Sequence, residues 1–402
     1  MSLTKGIIKS ILCNDLYKFS QGHYYQSIYP EAQGTFTFKD RNNLKHNQMF
    51  LITLQNEFIN LSNLSLTDEE CEWAIKNIPY IPRHYWEWLK TFKFDHNKIH
   101  TWLDEEQHLH IEITDVIYKV SLYEIPILAI VSETYYNFYA IKLANMDSQI
   151  VEPLRKKIQI AKDNNFTFME FGLRRRFSYA VQDKVCEILS QECPNCVGTS
   201  NVYMAKKYGM KPLGTIAHET FMATAAVTSP KEANHIVMEN WSKVYDGNLG
   251  TILTDTYTVD EFLRQFSRKN AKLFDGVRHD SGDPIEFGEK IIKKYESYGI
   301  DPMSKTIIFS DSLDFEKCAE LKKYFEGRVK VSFGIGTNLT CDIPDPYTSL
   351  KIRPQNIVMK LTKFQVNPRQ PVYNCVKLSD VPGKAMGDPK EIEVYKYLVG
   401  VE

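Results

Sequence analysis

Between residues 127 and 337 short apolar runs alternate with helical patterns, and this rhythm restricts the fold more than any other feature of the chain. Residues 167–171, 213–217, 251–254, 272–277, 306–309 and 329–333 read as strands. A helix over 127–143 opens the region, and 178–189, 201–208, 231–244, 259–266, 285–298 and 315–325 carry the apolar spacing of helices. Such alternation means a parallel sheet, since parallel neighbours need a long crossover. Six or seven units in about two hundred residues favour an irregular (β/α) barrel over an open sheet.

The flanks read differently. Residues 35–39 alternate like a half-buried strand, 49–61 and 82–92 read as helices, and 110–123 is β-rich. This is an α+β domain. After Asp342 the chain is Pro-rich and then β-like at 357–366 and 372–376, a tail expected to return to the first domain. The expected division is an N-terminal domain, 1–126, joined by 343–402, and a barrel domain, 127–342.

At 402 residues the chain is long enough for two domains. Its net charge of −1 rules out a global basic field for nucleic acid, so anionic ligands must be met by local patches. No apolar run reaches membrane-spanning length, and the N-terminus lacks the long apolar core of a secretory signal. Eight cysteines are scattered, and Cys193 with Cys196 is the only close pair. A lone CxxC has no second pair to complete a zinc site, so the expected compartment is the reducing cytoplasm.

Candidate chemistry collects where runs end. The segment Gly276-Val277-Arg278-His279-Asp280-Ser281-Gly282-Asp283-Pro284 sets a cation, two acids and two glycines between a strand and a helix. Asp283 and Pro284 fit the cap and first position of that helix. Arg278 and Asp280 are left for a site: an Arg can clamp a carboxylate or phosphate, and an acid can stabilise developing positive charge or hold a metal–diphosphate. Asp255 ends another run and can either cap the following helix or join the site. Gly334, Gly336 and Thr337 end the last run, where glycine backbone and a hydroxyl suit a phosphate. Of Arg174-Arg175-Arg176, three consecutive side chains cannot all point one way; Arg174 is assigned to a phosphate and the other two are left open. His218, with Thr215 before it and Glu219 expected to orient its ring, is a candidate nucleophile or base. The chain has no GxxxxGK[ST], which excludes a P-loop.

Six stretches share a further property. Asn14-Asp15-Leu16-Tyr17-Lys18, Glu170 to Ser178, Gly198-Thr199-Ser200-Asn201-Val202-Tyr203, Gly214 to Glu219, Arg278 to Pro284 and Phe333 to Asn338 together resemble the nicotinate phosphoribosyltransferase family, in the form typical of many bacteria and of yeast. The match runs in order from about residue 14 to residue 388. The resemblance implies an incomplete α/β barrel with a second domain made from both chain ends, and a homodimer with active sites shared across the interface. It implies transfer of phosphoribosyl from phosphoribosyl pyrophosphate to nicotinate, giving nicotinate mononucleotide and diphosphate in NAD biosynthesis. It implies assistance by ATP hydrolysis through a phosphohistidine, which by the family motif would be His218. Tyr17 from the partner subunit and Phe171 would sandwich the pyridine ring, with Thr215 beside it. Arg278 would hold the nicotinate, and Gly336 with Thr337 would lie near the ribose 5-phosphate. Asp255 and Asp280 suit the oxocarbenium character that builds at the anomeric carbon, directly or by holding Mg²⁺ with the diphosphate.

Two alternatives remain. Nicotinamide phosphoribosyltransferases resemble the chain at Gly198-Thr199 but follow it with an acid; Ser200 here would not repel a carboxylate. A non-catalytic ligand sensor would lack some of the charged or phosphate-loop residues, and His218, Arg278, Asp280, Gly336 and Thr337 are all present.

Overall fold

The computed structural model describes residues 6–345, 350–381 and 383–401. Its strands in chain order are β1 (Gln33–Asp40), β2 (Ile99–Leu103), β3 (Leu109–Val116), β4 (Phe168–Glu170), β5 (Cys196–Thr199), β6 (Thr251–Leu253), β7 (Gly276–His279), β8 (Thr306–Phe309), β9 (Lys330–Ile335), β10 (Ile343–Pro344), β11 (Lys351–Ile352), β12 (Ile357–Gln365) and β13 (Tyr373–Asn374). They form a five-stranded antiparallel sheet, order β13-β12-β1-β3-β2, a β10-β11 ribbon, and a six-stranded parallel sheet, order β5-β4-β9-β8-β7-β6. In the tail, β12 pairs β1 from Asp40↔Ile357 to Gln33↔Gln365.

The parallel sheet has β5 and β6 at its edges. Residues 211–215 lie between them. Thr199 N donates to Lys211 O at 3.0 Å and Leu213 N to Thr199 O at 2.9 Å, while Thr215 Oγ1 reaches across to Thr251 O at 2.8 Å. This corrects the strand expected at 213–217. Only Pro212 makes a bridge, to Thr199, and Ala217 is already the cap of a helix, His218–Val227. The strand the sequence hid is β5, four residues inside the Cys196 turn.

Other boundaries moved for local reasons. The β-rich stretch 110–123 is a strand only to Val116; Ile117–Val120 turns helical, with Ile117 N held by Ala32 O. The expected strand start at 272 belongs to a helix, Arg268–Leu273, capped by Ser267. That strand begins at Gly276, where a Cβ would strike the Thr306 carbonyl of β8. The helix expected over 127–143 runs Glu124–Phe138. The helices Pro284–Ser297 and Gln48–Ser62 bury Phe287, Ile291 and Tyr295, and Phe50, Leu54, Phe58 and Leu61, at the spacing one helical face requires.

A buried ion cluster ties the two sheets' helices together. Lys18, fully buried on the helix Leu16–Ile28, pairs with Glu124 at 2.5 Å and with Glu219; Ser121 Oγ also donates to Glu219 at 2.5 Å. Burial alone would discharge Lys18, but the two carboxylates outweigh it and keep the ammonium charged. Removing one member of such a group leaves an uncompensated buried charge. Lys18→Met should therefore cost about 3–5 kcal/mol, measured by urea denaturation; a loss near zero would mean the cluster contributes nothing to stability.

Candidate active site

The C-terminal ends of the parallel strands surround a cavity of about 160 Å³. Phe171 and Gly172 follow β4, Ser200 follows β5, and Arg278 and Asp280 end β7. Ser310 follows β8, and Gly334, Gly336 and Thr337 end β9. This is the face on which parallel α/β folds place chemistry. Asp15 and Tyr17, from the start of the first helix, and Lys360 of β12 complete the wall.

Tyr17 and Phe171 thus line one cavity from a single chain. Phe171 owes its place to Gly334: a Cβ there would lie 2.7 Å from the phenyl ring. Behind it Glu170, fully buried, accepts from Gly172 N at 2.6 Å, Thr199 Oγ1 at 2.6 Å and Gln182. Those bonds fix the turn that carries Phe171.

Arg278 sends Nη1 to Ile216 O at 3.3 Å and sits 3.7 Å from Asp280 Oδ2; its Nε is buried with no acceptor among the described residues. Asp280 also accepts from Ser310 Oγ at 2.8 Å and meets His218 Nε2 at 3.1 Å. Burial opposes its charge, but Arg278 and His218 outweigh that and hold the carboxyl well below the usual range. The His218 ring is flanked by Thr256 Oγ1 at Nδ1, 3.0 Å, and by Lys377 Nζ at Nε2, 3.0 Å. Burial first, then Lys377, push its pKa down to about 4, so the imidazole is neutral at pH 7. Glu219 does not orient it. As the next residue on a helix it points to Lys18 instead, about 100° around the axis.

Three more expectations change. Thr215 is absent from this cavity's wall; its hydroxyl is committed to Thr251 O and it lines a neighbouring hollow with Phe171 and Arg278. Asp255 lies behind the cavity, fully buried, accepting from Ser281 Oγ at 2.7 Å and 3.6 Å from Lys377. It caps no helix; Thr258 caps the one that follows. Ser200 does line the cavity, but its hydroxyl donates to Asp15 at 2.6 Å, so an acid stands beside it after all. Burial pushes Asp15 up to about 7, against the pull of that hydrogen bond. Asp283 caps its helix, accepting from Ile285 N and Glu286 N.

A wider groove of about 680 Å³ opens from the cavity past His218, Asp280 and Thr337. Arg41, Arg174, Arg175, Arg353, Lys360, Lys377 and Lys384 line it. Burial and then the Arg174 guanidinium push Arg175 down to about 10; burial, only partly offset by Glu124, leaves Lys360 at about 8, with Arg174 adding to the depression. Both groups are buried beside cations of like charge, a setting that favours an anion. Arg176 has no part in this; fully buried, it bonds Gln182 and Ile7 O and pairs with Glu133. Sequence reading missed Arg41, Lys360, Lys377 and Asp15. The signal was present for Lys360, a charge flanked by apolar residues in the β-like run 357–366, while Lys377 lies just past the run 372–376.

His218, Asp255 and Asp280 bring one ligand atom each within 4.8 Å of one another. The carboxylates are the oxygen donors Mg²⁺ takes, and Asp255 Oδ1 is buried without a hydrogen-bond partner among the described residues, so the pair fits such an ion. Cys193 and Cys196 lie apart from this region, and all eight cysteines are free.

Fold and cavity together place an aromatic-walled cavity beside a cation-lined groove at the strand ends of an α/β fold. The chain matches the nicotinate phosphoribosyltransferase (NAPRTase) family over residues 166–398 and that family's N-terminal domain over 12–132. It is 38% identical over 411 residues to the nicotinate phosphoribosyltransferase of Methanosarcina mazei, covering 98% of each chain. It is 38% identical over 387 residues to that of Desulforapulum autotrophicum, covering 96% of this chain and 97% of the other. The crystal structure of nicotinate phosphoribosyltransferase from Porphyromonas gingivalis superposes with a TM-score of 0.95 at 43% identity, covering 98% of this chain and all of that one. The one from Vibrio cholerae gives 0.91 at 34%, covering all of this chain and 96% of that one. The chain belongs to the nicotinate phosphoribosyltransferase family.

Gly334→Ala should displace the Phe171 ring and lower kcat/KM by about tenfold or more, since sub-ångström misplacement of a substrate-positioning group is costly. The check is steady-state kinetics with circular dichroism to confirm the fold. Unchanged kinetics would show that Phe171 does not position the substrate.

Proposed function

We propose that the chain transfers phosphoribosyl from phosphoribosyl pyrophosphate to nicotinate, releasing diphosphate and nicotinate mononucleotide, with assistance from ATP. Arg278 carries the reading: a guanidinium whose buried Nε–H is unused among the described residues lines a cavity whose other walls include Tyr17 and Phe171. That suits a carboxylate on a flat ring. The cationic groove beside it suits phosphoribosyl pyrophosphate, with Arg174 and the Gly334, Gly336 and Thr337 turn on the 5-phosphate side.

The pyridine nitrogen attacks the anomeric carbon as the bond to diphosphate breaks. Asp280 supplies negative charge next to the developing oxocarbenium, and the groove cations take up charge on the leaving group. Mg²⁺, held with the diphosphate at Asp255 and Asp280, would neutralise that leaving group further. Neutral His218, open to the same groove, suits attack on a γ-phosphoryl group of ATP.

The same reading extends to architecture and setting. Segment 211–215, bonded to both edge strands, supports an incomplete barrel, and the β1–β12 pairing supports a domain built from both chain ends. Eight free thiols suit the cytosol. A homodimer with shared active sites belongs to the same reading, with the Tyr17 and Phe171 positions both at the cavity.

Nicotinamide is the second reading, because Asp15 beside Ser200 can accept an amide N–H. Labelled nicotinate and nicotinamide, each with phosphoribosyl pyrophosphate and with or without ATP, separate the possibilities. The expected result is nicotinate conversion stimulated by ATP; preferential nicotinamide conversion, or none, would overturn the proposal. His218→Ala should abolish ATP hydrolysis while leaving slow ATP-independent transfer, read from labelled ATP and product formation. Labelling of the wild-type protein should show no acid limb near pH 6.5. With its pKa near 4 the imidazole stays unprotonated there, whereas an ordinary histidine would be half protonated. A midpoint near 6.5 would place the acceptor elsewhere.

A further inference from the structure

His218 Nε2 has two rival neighbours: Asp280 Oδ2 at 3.1 Å and Lys377 Nζ at 3.0 Å. A neutral imidazole carries one ring proton and cannot satisfy both. With the proton on Nε2 it donates to Asp280, Nδ1 accepts from the Thr256 hydroxyl, and the ammonium faces an N–H. With the proton on Nδ1 it donates to Thr256 Oγ1, and Nε2 accepts from Lys377. Only the second form presents a lone pair at Nε2.

Lys377 is not a loose surface cation. It is largely buried on a tail segment bound to three strand-end loops. Leu378 N donates to Thr256 O at 3.0 Å, and Tyr257 OH to Val376 O at 3.1 Å. Ser379 Oγ bonds Ser281 Oγ at 3.0 Å, Val259 N donates to Asp380 Oδ1 at 2.9 Å, and Lys384 pairs with Asp311 at 3.1 Å. Lys377 itself pairs backbone to backbone with Met386. The segment thus delivers an ammonium to the face of His218 that opens on the groove. A second anchor, Asp255 Oδ2 at 3.6 Å, steadies it there.

We propose that Lys377 is a positioning residue that fixes neutral His218 as its Nδ1–H tautomer, keeping the Nε2 lone pair toward the phosphate groove. This rests on the reading of His218 as phosphoryl acceptor. In the step it prepares, Nε2 bonds to the γ-phosphorus of ATP and the bond from that phosphorus to the bridging oxygen breaks. ADP leaves with the electron pair, and the ring retains its Nδ1 proton against Thr256. Lys377, displaced from Nε2, is left beside the new phosphoryl oxygens. Asp280 alone would pull the ring into the opposite, unreactive tautomer.

Long-range ¹H–¹⁵N spectra of ¹⁵N-histidine-labelled full-length protein read the tautomer directly, with His218→Ala assigning the signal. Wild type should show Nδ1–H; Lys377→Met should shift His218 to Nε2–H, and Lys377→Arg should restore Nδ1–H. Acid-labile labelling from ATP should fall about tenfold or more in Lys377→Met and recover in part with Arg. Thermal denaturation of each variant identifies one that fails to fold, and Lys377→Gln then serves in place of Met. An Nε2–H wild type, or the same tautomer with and without Lys377, overturns the proposal. Wild type that shows Nδ1–H yet takes no label from ATP refutes the acceptor reading and leaves the tautomer assignment standing.

Discussion

Arg278, Asp280, His218, Lys377 and Asp255 form one alternating chain of charge at the strand ends, and the site depends on its staying balanced. None of these groups has water enough to stand alone. Arg278 holds Asp280 ionised against its burial, Asp280 and Lys377 share His218, and Lys377 returns the charge to Asp255. The members come from β7, the loop after β6, the start of a buried helix and the C-terminal tail. The tail must therefore fold back before the chemistry exists. This explains why a segment so distant in sequence is tied to Thr256, Ser281 and Asp311.

A second layer of buried polar groups holds that chain of charge in position. Glu170 fixes the turn under Phe171, and the Lys18, Glu124 and Glu219 cluster pins the helix that begins with His218. Buried ion groups of this kind add little net stability over apolar packing, so their value lies in orientation. Cations in the neighbouring groove are left under-neutralised, which stores affinity for phosphate in the free protein.

Much of the parallel sheet was legible because β4, β6, β8 and β9 are short apolar runs, with helices of clear apolar spacing between most of them. The helices Leu16–Ile28 and His218–Val227 were not legible. Each is buried on nearly every face, so no stripe marks it in the sequence. Calling 213–217 a strand followed from the same ambiguity, since a short apolar run has no period of its own. Within the site, strand-end position correctly grouped Phe171, Arg174, Ser200, His218, Arg278, Asp280, Gly334, Gly336 and Thr337 around one opening. Position could not say which way a side chain turns, which is why Glu219 was expected at the His218 ring and pairs with Lys18 instead. Nor could it find Lys377, whose place is set by long-range hydrogen bonds.

The most direct test of the account is a crystal structure of the protein with nicotinate bound. The account predicts a pyridine ring between Tyr17 and Phe171, with its carboxylate accepting from Arg278 Nε. Nicotinate bound away from Arg278, or clear of both Tyr17 and Phe171, would contradict it.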